Sequence, residues 1–264
     1  MTHQPNHYTL TQKQRAILNL LYRFRFATSE QLSTALNVTK ATTNKRLKLM
    51  LELGYIGRRY ESEYRLLRKH ASYYLLPDGI AELKKISKQR YLPKVLRNIR
   101  NDSIASDQFM EHCLAVLYVY GLLRSEYNDE LQFFTKTQMA AASYFPKQLP
   151  DAHIQLGKNK PKLYLLDVLH QNEPFFRSTR AIMRYIKYAD QDENWPSQYA
   201  FPKILLVCGS ESLQKRLLKK MRRTIENLDD SELSFYITTL EGLKADTWRN
   251  MAEPDETSSL QDIS

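Results

Sequence analysis

The stretch from Thr28 to Tyr60 constrains this chain more than any other. It runs Thr28-Ser-Glu-Gln-Leu-Ser-Thr-Ala-Leu36, a turn Asn37-Val-Thr39, a basic segment from Lys40 to Leu53, then Gly54 and Tyr55-Ile-Gly-Arg-Arg-Tyr60. Thr28 and Gln31 have the spacing of a capping box, in which a hydroxyl and an amide satisfy the free N–H groups of a helix start. Leu32, Ala35 and Leu36 then form the buried stripe of that helix. Thr39 is the expected cap of the next one. At about 100° per residue, Leu47, Met50 and Leu51 share one face of it with Thr43 beside them. Ala41, Thr42, Lys45, Lys48 and Glu52 fall on the opposite face, with Lys40 at the N-terminus and Arg46 on a flank. Gly54 stands where a left-handed residue ends a helix.

Two neighbours complete the pattern. Upstream, Thr11 to Phe24 carries Ile17, Leu18, Leu21 and Phe24 at helical spacing, with Lys13, Arg15 and Arg23 off that face. Downstream, Tyr55–Tyr60 and Ser72–Leu76 read as two strands of a ribbon with Arg58, Arg59, Arg65, Arg68 and Lys69 in or between them. Three helices followed by a ribbon is the order of a winged helix-turn-helix. In that arrangement the third helix offers Lys40, Thr42, Asn44, Lys45, Arg46 and Lys48 to base edges and phosphates. The arginines of the ribbon would follow the backbone or enter the minor groove. A helix from Pro77, with Ile80, Leu83 and Ile86 inward and Lys84, Lys85 and Lys88 outward, buttresses the wing or pairs with a second subunit.

The charge distribution agrees. Residues 1–100 hold 20 Lys and Arg against 6 Asp and Glu, a net of +14, whereas residues 101–264 carry a net of −4. The basic half is the one expected to meet a polyanion. A hydrophobic content of 42% excludes wholesale disorder. No run of about 18 apolar residues and no apolar leader appears, so a cytoplasmic protein without membrane contact is expected. Cys113 and Cys208 lie in apolar stretches and read as buried thiols.

The expected organisation is α+β: a winged helix domain over residues 8–88, a basic linker over 89–101, an α/β domain with a mixed sheet over 102–248, and a disordered acidic tail over 249–264. The second domain opens with a long helix from Ser103 to Glu126, with Ile104, Phe109, Leu114, Leu117 and Leu122 on its apolar face. Strands follow at 130–135, 152–156, 162–169, 203–208 and 233–240. Helices fall at 175–188, with Phe175, Thr179, Ile182, Met183 and Ile186 inward, and at 211–228.

The catalytic candidates are Asp151, after Pro150, and Asp167, within the apolar strand. On adjacent strands two such carboxylates can hold Mg²⁺ for phosphodiester hydrolysis; Asp151 can equally be a turn former. The order Pro-Asp, hairpin, apolar strand with an acid, then helix resembles the core of the PD-(D/E)xK nuclease fold. That family's pattern ends in acid-x-Lys, and the chain reads Asp167-Val168-Leu169; a displaced lysine, Lys187, is the alternative donor. His-x-His, His-x-x-Arg, Walker and zinc-ligand patterns are absent from the sequence.

Taken together, Leu51-Glu-Leu-Gly-Tyr-Ile56, Tyr73-Tyr-Leu-Leu-Pro-Asp-Gly79, Pro150-Asp-Ala152, Leu165-Leu-Asp-Val168 and Arg184-Tyr185-x-x-Tyr188 resemble the replication-relaxation family of plasmids and mobile elements. The resemblance implies a DNA-binding protein of replication or transfer with a nuclease-like second domain. Sequence-specific binding of double-stranded DNA without catalysis or cofactor is therefore expected. A homodimer, a replication or transfer protein as partner, and a role in transcription regulation are further expectations. The alternative is a Mg²⁺-dependent endonuclease using Asp151, Asp167 and Lys187.

Overall fold

The computed structural model describes residues 9–60, 64, 69–86, 91–190, 195–196, 199–228 and 233–263, and the chain divides into two compact units between Leu114 and Ala115. Arg65, Arg68 and Lys88 lie outside the described residues.

In the first unit, α1 (Gln12–Phe24) starts at a capping box of Thr11 and Gln14 and buries Ile17, Leu18, Leu21 and Phe24. A short strand, β1 (Ala27–Thr28), leads into α2 (Ser29–Leu36), whose capping box is Thr28 and Gln31. Asn37 adopts the left-handed conformation (φ 49°) and turns the chain into α3 (Lys40–Glu52), capped by the Thr39 hydroxyl. Gly54, at φ 70°, closes α3: its N–H and that of Tyr55 donate to Leu51 and Met50 carbonyls at 3.0 Å, which satisfies two of the free acceptors at the end of the helix. Leu32, Leu36, Leu47 and Met50 are buried as expected; Ala35 is exposed and Leu51 only half-buried.

β2 (Ile56–Arg59) and β3 (Ser72–Leu75) pair antiparallel, and β1 joins on the far side, giving a three-stranded sheet in the order β1-β3-β2. Gly57 faces Tyr74 across the ribbon, where any Cβ would overlap the tyrosine ring. α4 (Pro77–Ile86) packs on α1 through Ile80 and Leu83. This is a three-helix core with a β-ribbon, the winged helix arrangement.

The expected linker is instead part of this unit. α5 (Pro93–Arg100) buries Val95, Leu96 and Ile99. Its end is held by Arg25, which donates to the Asn98 carbonyl at 2.7 Å and forms an ion pair with the fully buried Asp102. Its cations made the segment look solvated, but Lys94, Arg97 and Arg100 occupy only the outer face of an amphipathic helix, and Arg90 lies outside the described residues. The long helix, α6 (Asp107–Tyr127), begins later than expected, which leaves Ile104 outside it and 82% exposed. Its first two turns bury Met110 and Cys113 with Phe26 and Tyr64.

The second unit is built on a seven-stranded mixed sheet. Its elements after α6 are β4 (Leu131–Thr135), α7 (Lys136–Met139), β5 (Ala152–Leu156), β6 (Lys162–Leu169) and α8 (Phe175–Ala189). There follow β7 (Lys203–Cys208), α9 (Glu211–Glu226), β8 (Phe235–Thr239), α10 (Leu240–Lys244), β9 (Trp248–Asn250) and β10 (Thr257–Ser258). Spatial order is β10-β9-β8-β7-β6-β5-β4, with β6, β7 and β8 parallel and the outer pairs antiparallel. One face of the sheet (Leu165, Leu169, Ile204, Leu206, Cys208, Phe235, Ile237) packs on Ile182 and Tyr185 of α8 and on Leu213, Leu217, Met221 and Ile225 of α9. Burial drives the Cys208 thiol up to about 12, so it stays protonated. On α8 the buried stripe is Ser178, Ile182, Tyr185 and Tyr188, rotated from the expected one; Met183 is 45% exposed.

His153, on β5, sits between Phe134, Phe145 and Trp195 at ring distances of 5.7, 5.4 and 6.2 Å. Its Nε2 is buried and makes no hydrogen bond among the described residues.

The expected disordered tail is structured. Trp248, Met251, Leu260 and Ile263 are buried. The Tyr164 hydroxyl donates to the Leu260 carbonyl at 3.0 Å, and the Lys162 ammonium donates to the Gln261 and Ile263 carbonyls at 2.6 and 3.0 Å. Acidic and Ser-rich composition suggested disorder, yet three spaced apolar side chains, Met251, Leu260 and Ile263, suffice to anchor the segment. Among the described residues no helix is long and apolar enough to cross a membrane.

Candidate nucleic-acid interface

On α3 the outward side chains are Lys40, Ala41, Asn44, Lys45, Lys48 and Glu52, all exposed. Buried Thr43, Leu47 and Met50 fix the helix rotation that presents them. Lys40 lies 3.9 Å from Glu30 and Lys48 4.0 Å from Glu52, both pairs open to solvent and therefore weak and easily exchanged for phosphate. Asn44 and Lys45 stand in the middle of the face, where a donor–acceptor amide and a cation are both accessible.

Two expected contacts are differently employed. Thr42 is half-buried, its hydroxyl 2.9 Å from that of Thr39, and the Thr39 oxygen also accepts its backbone N–H, so Thr42 belongs to the helix cap. Arg46 turns toward α1, lining a hollow with Thr11, Lys13 and Gln14, and one guanidinium nitrogen is buried without a hydrogen bond among the described residues. Its stem packs where a phosphate contact was expected.

The wing cations divide likewise. Arg59 donates to the Ala105 carbonyl and pairs with Asp107 at 2.6 Å. Lys69 pairs with Glu111 at 2.7 Å, which raises its pKa through that hydrogen bond. Both bind the wing to the start of α6. Arg58 is exposed, its guanidinium 5.9 Å from the Tyr60 ring, and among the described wing residues it is the cation without a carboxylate partner.

The two carboxylates of the second unit do come together. The Asp151 N–H donates to Asp167 Oδ1 at 3.2 Å, and the Val168 N–H to Asp151 Oδ2 at 2.8 Å. Each is met by a cation to which the sequence assigned no role. The Lys136 ammonium is 2.5 Å from Asp151 Oδ1, and Arg184 pairs with Asp167 Oδ2, which also accepts the Tyr185 hydroxyl at 2.8 Å. Burial, and then the neighbouring Asp167 charge, push the Tyr185 hydroxyl well above its ordinary pKa. Lys187, the expected lysine, is exposed on α8, and Leu169 is packed in the core. Arg184 and Tyr185 were visible as a motif without a role; Lys136, fifteen residues ahead of Asp151, carried no local signal. Among the described residues no three His, Cys, Asp or Glu side chains gather closely enough to hold a metal ion.

The replication-relaxation family model matches residues 18–204, from α1 to the start of β7. The chain belongs to the replication-relaxation family. No curated protein matches it. Solved structures similar to this family member include a MarR family transcription regulator (27% identity, 46% of this chain and 73% of that one, TM-score 0.27). A Lactococcus lactis ZitR mutant in complex with DNA is similar at 17% identity over 48% of this chain and 82% of its own, TM-score 0.28. TrmBL2, an archaeal chromatin protein, is similar at 13% identity over 88% of this chain and 74% of its own, TM-score 0.23.

Proposed function

We propose that this replication-relaxation protein is a cytoplasmic, sequence-specific double-stranded DNA-binding protein of a plasmid or other mobile element. It acts in control of replication or transfer, or of transcription, alongside a replication or transfer partner. The observation that carries the reading is the outer face of α3: Lys40, Asn44, Lys45 and Lys48 exposed on a helix whose opposite face is locked by Thr43, Leu47 and Met50. Asn44 reads base edges, the lysines engage flanking phosphates, and Arg58 of the wing adds a backbone contact. A homodimer reading two half-sites supplies the specificity that one short helix lacks.

Selection of bound duplexes from a random pool tests this. A recovered consensus, bound tightly at low salt and much more weakly at higher salt, is expected. No enrichment, or binding indifferent to salt, overturns it. A protein of about 31 kDa on that DNA by light scattering overturns the dimer.

The second unit is, in this proposal, a non-catalytic scaffold. Of the four carboxylate oxygens of Asp151 and Asp167, all accept hydrogen bonds, from Lys136, Arg184, Tyr185 and two backbone N–H groups. A Mg²⁺ ion needs those lone pairs and an open path to them. Nicking of supercoiled plasmid in Mg²⁺ or Mn²⁺ that disappears in Asp167→Ala would overturn the scaffold reading.

A further inference from the structure

The second half of the chain is acidic in sum, but the charge is not spread evenly. Residues 215–223 read Lys-Arg-Leu-Leu-Lys-Lys-Met-Arg-Arg, six cations in nine residues. On α9, Leu217 and Met221 turn inward onto the sheet, and Lys215, Arg216, Lys219, Lys220, Arg222 and Arg223 are all exposed. Among the described residues carboxylates pair only at the ends of the run, Glu211 with Lys215 at 3.2 Å and Glu226 with Arg222 at 2.7 Å. Arg216 is laid over the Phe175 ring at 3.9 Å, so it is already oriented. Among the described residues no carboxylate lies within 4.0 Å of Lys219, Lys220 or Arg223. On neighbouring α8, Arg180 and Lys187 are exposed as well.

From this placement we propose that the outer face of α9, flanked by α8, is a second nucleic-acid surface that binds the phosphate backbone of duplex DNA without reading sequence. Like charges three and four residues apart on a helix repel one another. The run therefore costs the folded unit stability that a polyanion returns. Its length, about 12 Å from Lys215 to Arg223 at the helical rise, is enough to follow a short run of phosphates along one strand. The outer face of α9 itself exposes no aromatic or aliphatic side chain, which a helix lying in a lipid interface requires; Phe176 and Met183 are exposed on α8. An acidic protein partner is the competing occupant.

The test uses the full chain and a random duplex of about 30 base pairs, with affinity measured by fluorescence anisotropy between about 50 and 200 mM salt. The triple variant Lys219→Gln, Lys220→Gln, Arg223→Gln is compared with Lys147→Gln, Lys158→Gln, Lys160→Gln, which removes the same charge from exposed loops. The slope of log affinity against log salt is expected to fall by about 2 to 3 in the α9 triple, near 0.9 per lost phosphate contact, and to stay unchanged in the loop triple. The single Lys219→Gln should show about one third of that change. Equal slopes for wild type and the α9 triple, or an equal drop in both triples, overturn the proposal. Sequence preference is read separately, as the ratio of affinities for a selected and a random duplex. Loss of that ratio in an Asn44→Ala, Lys45→Ala protein concerns α3 alone, and the α9 triple should leave it intact.

Discussion

His153 offers a direct check on how the second unit responds to acid. Its side chain is 6% exposed, enclosed by Phe134, Phe145 and Trp195, and burial lowers its pKa from 6.5 to about 4. The folded pKa lies below the unfolded one, so the unfolded chain takes up the proton first. The stability contribution is then complete above about pH 6.5 and is lost as pH falls toward 4. Linkage makes the loss about 2 kcal/mol at pH 5 and about 3 kcal/mol at pH 4. His153→Phe removes the titration, keeps a planar ring among aromatic neighbours, and deletes a buried nitrogen that has no partner among the described residues. Urea denaturation followed by tryptophan fluorescence is the assay, because Trp195 and Trp248 are the only tryptophans and both belong to the second unit. Between pH 7 and pH 5 the wild type is expected to lose about 2 kcal/mol more than the variant. Parallel losses in the two proteins would refute the account of His153 as a neutral core side chain.

Asp167→Ala leaves the largely buried Arg184 charge and the fully buried Tyr185 hydroxyl without their acceptor, and should cost on the order of 3–5 kcal/mol in the same denaturation assay; an unchanged midpoint would contradict it. Lys45→Ala should weaken DNA binding with stability unchanged within about 0.5 kcal/mol. Arg46→Ala should instead lower the melting temperature through lost packing, and the reverse pattern would invert the assignment of these two neighbours. Gly57→Ala drives a methyl group into the Tyr74 ring and should destabilise the wing by about 1–3 kcal/mol in thermal melts followed by circular dichroism; a melt like that of the wild type would show that the ribbon can part.

Much of the first unit was legible because its boundaries are written in local chemistry. Thr28 with Gln31, Thr39 before Lys40, and Gly54 after Leu53 each act within one helical turn, so spacing alone locates them. The exposed half of α3 followed from the same periodicity. Contacts across long stretches of chain were not legible. Arg59 reaches Asp107 and Lys69 reaches Glu111, and nothing local distinguishes these cations from Arg58. In the second unit the adjacency of Asp151 and Asp167 could be read from two neighbouring strands. Their neutralisation could not, because Lys136 and Arg184 arrive from separate elements. Net charge misled at α9, since an average over 164 residues conceals a nine-residue cationic face.

The segment after Trp248 sets a boundary for anyone who would shorten this protein. Ending the chain near residue 248, as its acidic, Ser-rich character invites, would strip β9 and β10 from the sheet and turn β8 from an interior strand into an open edge. Tyr236 and Ile237 would lose their partners Asn250 and Arg249, and an unpaired strand of this apolar composition is a template for another chain. A trimmed protein of this kind would fail by self-association at that edge.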